Sequence, residues 1–125
     1  MTKTKQSFAR SALELEAIVV VALGLALGVN ILITGVVNQV SGVITNVGNL
    51  WLDSAFSTGY SIYNLTGGSL YIGSGGITVY SGGSYELNLG GGAVGAEASW
   101  SSSLNMNLTG NNGPVTFDPA GYTIT

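Results

Sequence analysis

Between Ala17 and Val37 the chain carries no charged residue, and Asn30 and Thr34 are the only positions there with polar side chains. A run of 21 residues would be about 31 Å long as an α-helix, enough to cross a hydrocarbon core. The apolar pattern continues beyond Val37. Val36, Val37, Val40, Val43, Ile44, Val47, Leu50 and Trp51 recur at spacings of three and four, with Asn38, Gln39, Ser41, Thr45, Asn46 and Asn49 between them. That period predicts one helix from Ala12 to Leu52, apolar all round at first and amphipathic later. No proline interrupts it. Such a rod would be about 60 Å long, too long to be buried by the roughly 70 residues that follow. Its first half is therefore expected to sit in lipid or against other copies of itself.

The C-terminal part reads differently. Glycine accounts for 20 of the 125 residues, and from about Thr58 onward Gly, Ser, Thr, Asn and Tyr dominate. Short apolar–polar alternations run over Tyr60–Thr66, Ser69–Ile72, Ile77–Tyr80, Ser84–Leu89, Ala93–Trp100, Leu104–Leu108, Val115–Phe117 and Tyr122–Thr125. Glycine pairs between such segments are hairpin signals, and Gly113-Pro114 and Asp118-Pro-Ala-Gly121 are further turns. The intervals between Gly67 and Gly92 are loosely repetitive. Without a strict period they read as hairpin punctuation and not as a solenoid. The expected fold class is α+β: a basic leader over residues 1–11, a hydrophobic helix over 12–52, a linker over 53–57 and a small antiparallel β domain, meander or sandwich, over 58–125.

Charge narrows the function classes. Charged residues make up 7% of the chain, against about 25% in an ordinary soluble domain. Lys3, Lys5 and Arg10 are the only bases, and His and Cys are absent. Nucleic-acid binding lacks the cations it needs after Arg10. Thiol and imidazole chemistry, disulfides and metal sites built on Cys or His are excluded. Asp53, Glu86, Glu97 and Asp118 are scattered and follow no EF-hand pattern. Gly73-Ser-Gly-Gly76 and Gly90–Gly92 lack the lysine and following helix of a phosphate loop. No enzyme activity, no cofactor and no metal are expected. With no side-chain cation beyond Arg10 there is also no ion pair to lose in acid, so equal stability at pH 3 and pH 7 is expected.

Three readings of the N-terminus stand side by side: a cleavable secretory signal, a transmembrane anchor with Lys3, Lys5 and Arg10 on the cytoplasmic side, and a leader cut ahead of a retained helix. In the third, the leader ends at Arg10-Ser11 and Ala12-Leu-Glu-Leu-Glu16 opens directly into the apolar segment. That arrangement resembles a type IV prepilin, most closely an archaeal one. The resemblance implies processing at Arg10, Ser11 and Ala12, with Glu16 fifth in the mature chain. It also implies pairing of Glu16 with a neighbouring subunit's amino terminus, and a prepilin peptidase, assembly ATPase and membrane platform as partners.

Other motifs fit the same expectation. Gly24-Leu-Ala-Leu-Gly28, continued by Gly35, would let helix backbones approach closely. Asn64-Leu-Thr66 and Asn107-Leu-Thr109 match the N-glycosylation acceptor pattern. Tyr60, Tyr63, Tyr71, Tyr80, Tyr85, Trp100 and Tyr122 are expected to pack as core and cross-strand pairs. The function expected from sequence is a structural subunit of an extracellular filament. It would assemble as a homopolymer through its N-terminal helix, serve adhesion at the cell surface and reside in the membrane as a precursor. The alternatives are a single-span membrane protein with an extracellular β module that binds a ligand, and a membrane-derived viral coat protein.

Overall fold

The structure, a computed structural model, describes residues 12–20, 25–28, 30–52, 60–79 and 84–125. Its strands are β1 (Ala12–Val20), β2 (Leu25–Gly28), β3 (Asn30–Gln39), β4 (Val43–Asn46), β5 (Asn49–Leu52), β6 (Tyr60–Leu65), β7 (Ser69–Ile72), β8 (Gly76–Val79), β9 (Ser84–Leu89), β10 (Gly92–Ala96), β11 (Asn107–Leu108) and β12 (Val115–Asp118). The described residues contain no helix, and every strand pairing among them is parallel. One sheet runs β11-β9-β6-β3-β5-β8 with β1 beside β3, and the other runs β12-β10-β7-β4-β2. The result is a parallel β-solenoid of about three turns. Each turn lays its strands on those of the turn before.

Two expectations are corrected here. The predicted helix Ala12–Leu52 is strands joined by short corners wherever the structure describes it, so the fold is all-β and not α+β. The resemblance to a type IV pilin does not extend to the fold, and no helix among the described residues is long and apolar enough to cross a membrane. The spacing of three and four arose from a different rule. Val37 and Gln39, Ile44 and Asn46, and Leu50 and Leu52 are buried in pairs two residues apart, which is strand alternation. Short corners at 40–42 and 47–48 separate the pairs, and there Val40 and Val47 point outward, 42% and 47% exposed. Strands and corners of these lengths produce the intervals of a helical stripe. The segment is also rich in Val and Ile, which favour strands, and in Gly, which disfavours helix interiors.

The second correction concerns pairing. The β segments after Tyr60 lie close to their expected positions, but their glycines bend the chain instead of reversing it. Gly42, Gly68 and Gly92 occupy the same corner of successive turns, with φ of 78°, 79° and 78°. L-residues with a Cβ rarely adopt this conformation. A Cβ on Gly68 would strike the Gly42 carbonyl, and one on Gly92 the Gly68 carbonyl. The turns therefore stack backbone on backbone at this corner. Ser69 N donates to Gly42 O at 2.9 Å and Ala93 N to Gly68 O at 2.9 Å, so the ladder continues around the bend.

Inward side chains fill the solenoid. Val37, Ile44, Leu50 and Leu52 form one layer, Tyr63, Leu65, Leu70, Ile72 and Ile77 the next, and Leu87, Leu89, Val94, Ala96 and Trp100 a third. Each buried aliphatic side chain is worth about 1.5–3 kcal/mol. Burial on the inside leaves the outer face of each sheet free to carry polar residues, and one such face is distinctive.

Candidate functional site

On β6 the inward residues Ser61, Tyr63 and Leu65 are buried, so Tyr60, Ile62 and Asn64 face outward. The register places Asn38, Asn64 and Asn88 above one another, and Asn107 follows Asn88. Their side chains form a continuous hydrogen-bonded ladder. Asn64 Nδ2 donates to Asn38 Oδ1, Asn88 Nδ2 to Asn64 Oδ1, and Asn107 Nδ2 to Asn88 Oδ1, each at 2.8 Å. An amide suits such a stack because it carries both donor and acceptor, and identical residues in register satisfy each other. Each Asn has two amide hydrogens and two oxygen lone pairs. In the bonds described, Asn64 uses one of each, so one donor and one acceptor remain for an external group.

The ladder borders a cleft of about 450 Å³ whose walls include Thr66, Gly90, Thr109, Asn111 and Asn112. No charged residue is among the described residues that line it. Beside it, Glu86 stands two residues before Asn88 on the same outward row. Its carboxylate accepts a bond from the Tyr60 hydroxyl at 2.8 Å and one from Asn88 Nδ2 at 3.2 Å. These bonds, the tyrosine's first, hold the Glu86 carboxyl below its usual value. The same contact raises the Tyr60 phenol. Tyr60 is thereby tethered while the residue stays 48% exposed. A second cleft of about 400 Å³, lined by Glu86, Tyr85, Asn105 and Asn107, adjoins the lower end of the ladder.

The ladder has a buried counterpart. Gln39, the residue after Asn38, points inward and is fully buried. Its Nε2 donates to the carbonyls of Ser69 at 2.9 Å and Gly42 at 3.2 Å, and its Oε1 accepts from the Tyr63 hydroxyl at 2.6 Å. Burial pushes the Tyr63 phenol up, so it remains a neutral donor. Gln39 thus ties the corner to the core behind the ladder face.

Of the residues singled out in sequence, Asn64 and Asn107 belong to this site, half-buried and exposed respectively. Ala12 and Glu16 lie on β1, in register with Asn30 and Thr34. Gly28 ends β2 opposite Asn46. Gly35, with φ of 101°, lies in β3 where that strand changes partner from β5 to β6. Gly28 and Gly35 therefore share no helix face. Arg10, Ser11 and Gly24 lie outside the described residues, as do the leader and the 53–57 linker. Among the aromatics, Tyr63 and Trp100 are buried as expected, while Tyr60 and Tyr122 are exposed and Tyr80 lies outside the described residues. Glu97 and Asp118 stand apart from Glu86, and no group of three carboxylates among the described residues could hold a metal ion.

Asn38, Asn88 and Gln39 were not singled out from sequence. A signal for the first two existed: Asn38…Gly42, Asn64…Gly68 and Asn88…Gly92 each set an asparagine four residues ahead of a corner glycine. Comparison with known proteins adds no relative, since no family model, curated protein or solved structure matches the chain.

Proposed function

We propose that this protein is a non-catalytic structural module displayed at the cell surface, whose asparagine ladder face makes adhesive contacts. One observation carries the reading: four asparagines on the neighbouring strands β3, β6, β9 and β11 are joined into a single uncharged strip along the solenoid. Chemistry on a substrate needs an activated nucleophile or a matched acid–base pair. The strip offers neither; Glu86 is the one ionisable acid beside it, and its partners are a phenol and an amide. What the strip does offer is a regular array of donors and acceptors on a scaffold fixed by the turns beneath it.

The test is made on cells that produce the protein. Protease shaving of intact cells should release its peptides, with cleavage by an enzyme that cuts at aromatic residues because trypsin has no target beyond Arg10. Deleting the gene should lower attachment to surfaces. Equal attachment by deleted and parent cells, or a protein protected until cells are lysed, would overturn the reading.

A further inference from the structure

We infer that the ladder face binds a neutral polysaccharide laid along the solenoid axis, an inference that rests on the adhesive reading above and names its partner. The argument begins with spacing. Successive rungs sit one strand apart, about 4.8 Å, which is close to the advance of one hexopyranose unit along an extended glycan chain. Four rungs, Asn38 to Asn107, span three such intervals. A polymer with a matching repeat can therefore meet an asparagine side chain at each sugar; Asn88 spends both amide hydrogens on Asn64 and Glu86 and offers only its oxygen.

The chemistry matches as well. A sugar hydroxyl both donates and accepts, and so does the Asn64 amide, with one hydrogen and one lone pair to spare. The threonine hydroxyls of Thr66 and Thr109 and the side chain of Asn111 add groups of the same kind along the cleft. Beside the cleft, four residues before Asn64 on the same outward face of β6, Tyr60 supplies what amides lack, an aromatic residue exposed to solvent and held through its hydroxyl by Glu86. Its face can cover the C–H side of a sugar ring, since a tyrosine presents an apolar body beside a polar tip.

Charge excludes the competing occupants. The described residues contain no Lys, Arg or His, so neither nucleic acid nor a sulfated or carboxylated polymer finds a counter-charge. The ionised Glu86 at the edge of the strip repels polyanions further. The cleft walls are amide and hydroxyl rather than the apolar anchors on which protein partners depend.

The experiment is affinity electrophoresis of the full chain through native gels containing a galactomannan, a glucomannan or hydroxyethylcellulose, whose β-1,4-linked backbones are extended, with polygalacturonate as the anionic probe. Retardation by at least one neutral polymer and none by polygalacturonate is expected. Tyr60→Ala and Asn111→Ala, both at outward positions, should together weaken retardation about tenfold, equivalent to about 1.4 kcal/mol, with a cooperative thermal melt retained to show that the fold is intact. No retardation by any neutral polymer would overturn the inference, and so would retardation that the two substitutions leave untouched or that only polygalacturonate produces. Loss of glycan retention with attachment of cells still dependent on the gene would sink the glycan and spare the adhesive reading. Attachment independent of the gene would sink the adhesive reading whatever the gels show.

Discussion

Gln39 and Tyr63 are the residues on which the inner side of the ladder depends. Both are fully buried, and the bond between them closes a network in which Gln39 also satisfies two corner carbonyls. Buried polar groups are tolerated when fully paired and become costly when one partner is removed. Tyr63→Phe deletes only the donor to Gln39 Oε1, keeps the ring volume and should destabilise the protein by about 1–3 kcal/mol. Urea unfolding measures this; a midpoint equal to the parent's would show that Gln39 finds another donor. Glu86 is the outer counterpart. Its folded-state pKa is depressed by bonds from Tyr60 and Asn88, so its contribution is present above the unfolded value and is lost as pH falls through the folded one. The missing cations suggested equal stability at pH 3 and pH 7. Glu86 adds a modest loss on the acid side, because an ionised acceptor can depend on hydrogen bonds without any cation. Melts of the parent and Glu86→Gln at pH 3 and pH 6 should show a smaller difference in the variant. An identical difference in both would assign the acid response to another group.

At the scale of elements, the corners determine whether strands meet in parallel or antiparallel. Gly68 and Gly110 both have positive φ, 79° and 63°, but their surroundings differ. A side chain on Gly68 would meet the backbone of the turn above, whereas at Gly110 the nearest atom to a new Cβ is 3.7 Å away. Gly68→Ala combines a strained φ, about 1–2 kcal/mol, with a clash against backbone that cannot swing aside. It should lower the melting temperature far more than Gly110→Ala, which meets a similar φ penalty with no clash. Equal losses would mean that φ alone governs these corners. The same glycines explain what was legible in sequence. Alternation placed β6, β7 and β9 within a residue of their ends, because one buried face imposes a period of two wherever it occurs. Which strands pair was not legible. A glycine-rich corner and a hairpin turn use the same residues, and only the distance to the next equivalent residue separates them. That distance drifts, from 26 between Asn38 and Asn64 to 24 between Asn64 and Asn88 and 19 between Asn88 and Asn107, so no fixed period marks the repeat. The site was half legible for a related reason. Asn64 and Asn107 drew notice through a glycosylation pattern, while their ladder role appears only once the turns are stacked.

At the scale of the molecule, a solenoid has neighbours in one dimension only, and each turn is held by the turns on either side. The described part of this chain has no side-chain cations, so it gains nothing from ion pairs and relies on the ladder and the buried column. That column weakens toward the last described turn. Leu65 and Leu89 are buried at 0% and 1%, whereas Leu108, next in the same column, is 61% exposed, and Phe117, in register with Val94, is 40% exposed. β11 is two residues long and β12 pairs on one side with β10. Opening of β11 and β12 therefore exposes little new apolar surface, while opening of β6 or β7 breaks ladders on both sides and uncovers Tyr63, Leu65, Leu70 and Ile72. Local openings differ in free energy according to what they expose. Native-state hydrogen exchange of the full chain should show a gradient, with amides of β6, β7 and β9 slowest and those of β11 and β12 exchanging first. Salt should leave that order unchanged, since the region carries a few carboxylates but no cation to pair with them, so screening removes no attraction. A single protection level across all of these strands would mean that the solenoid opens only as a whole and that its last turn is held by contacts other than the column beneath it.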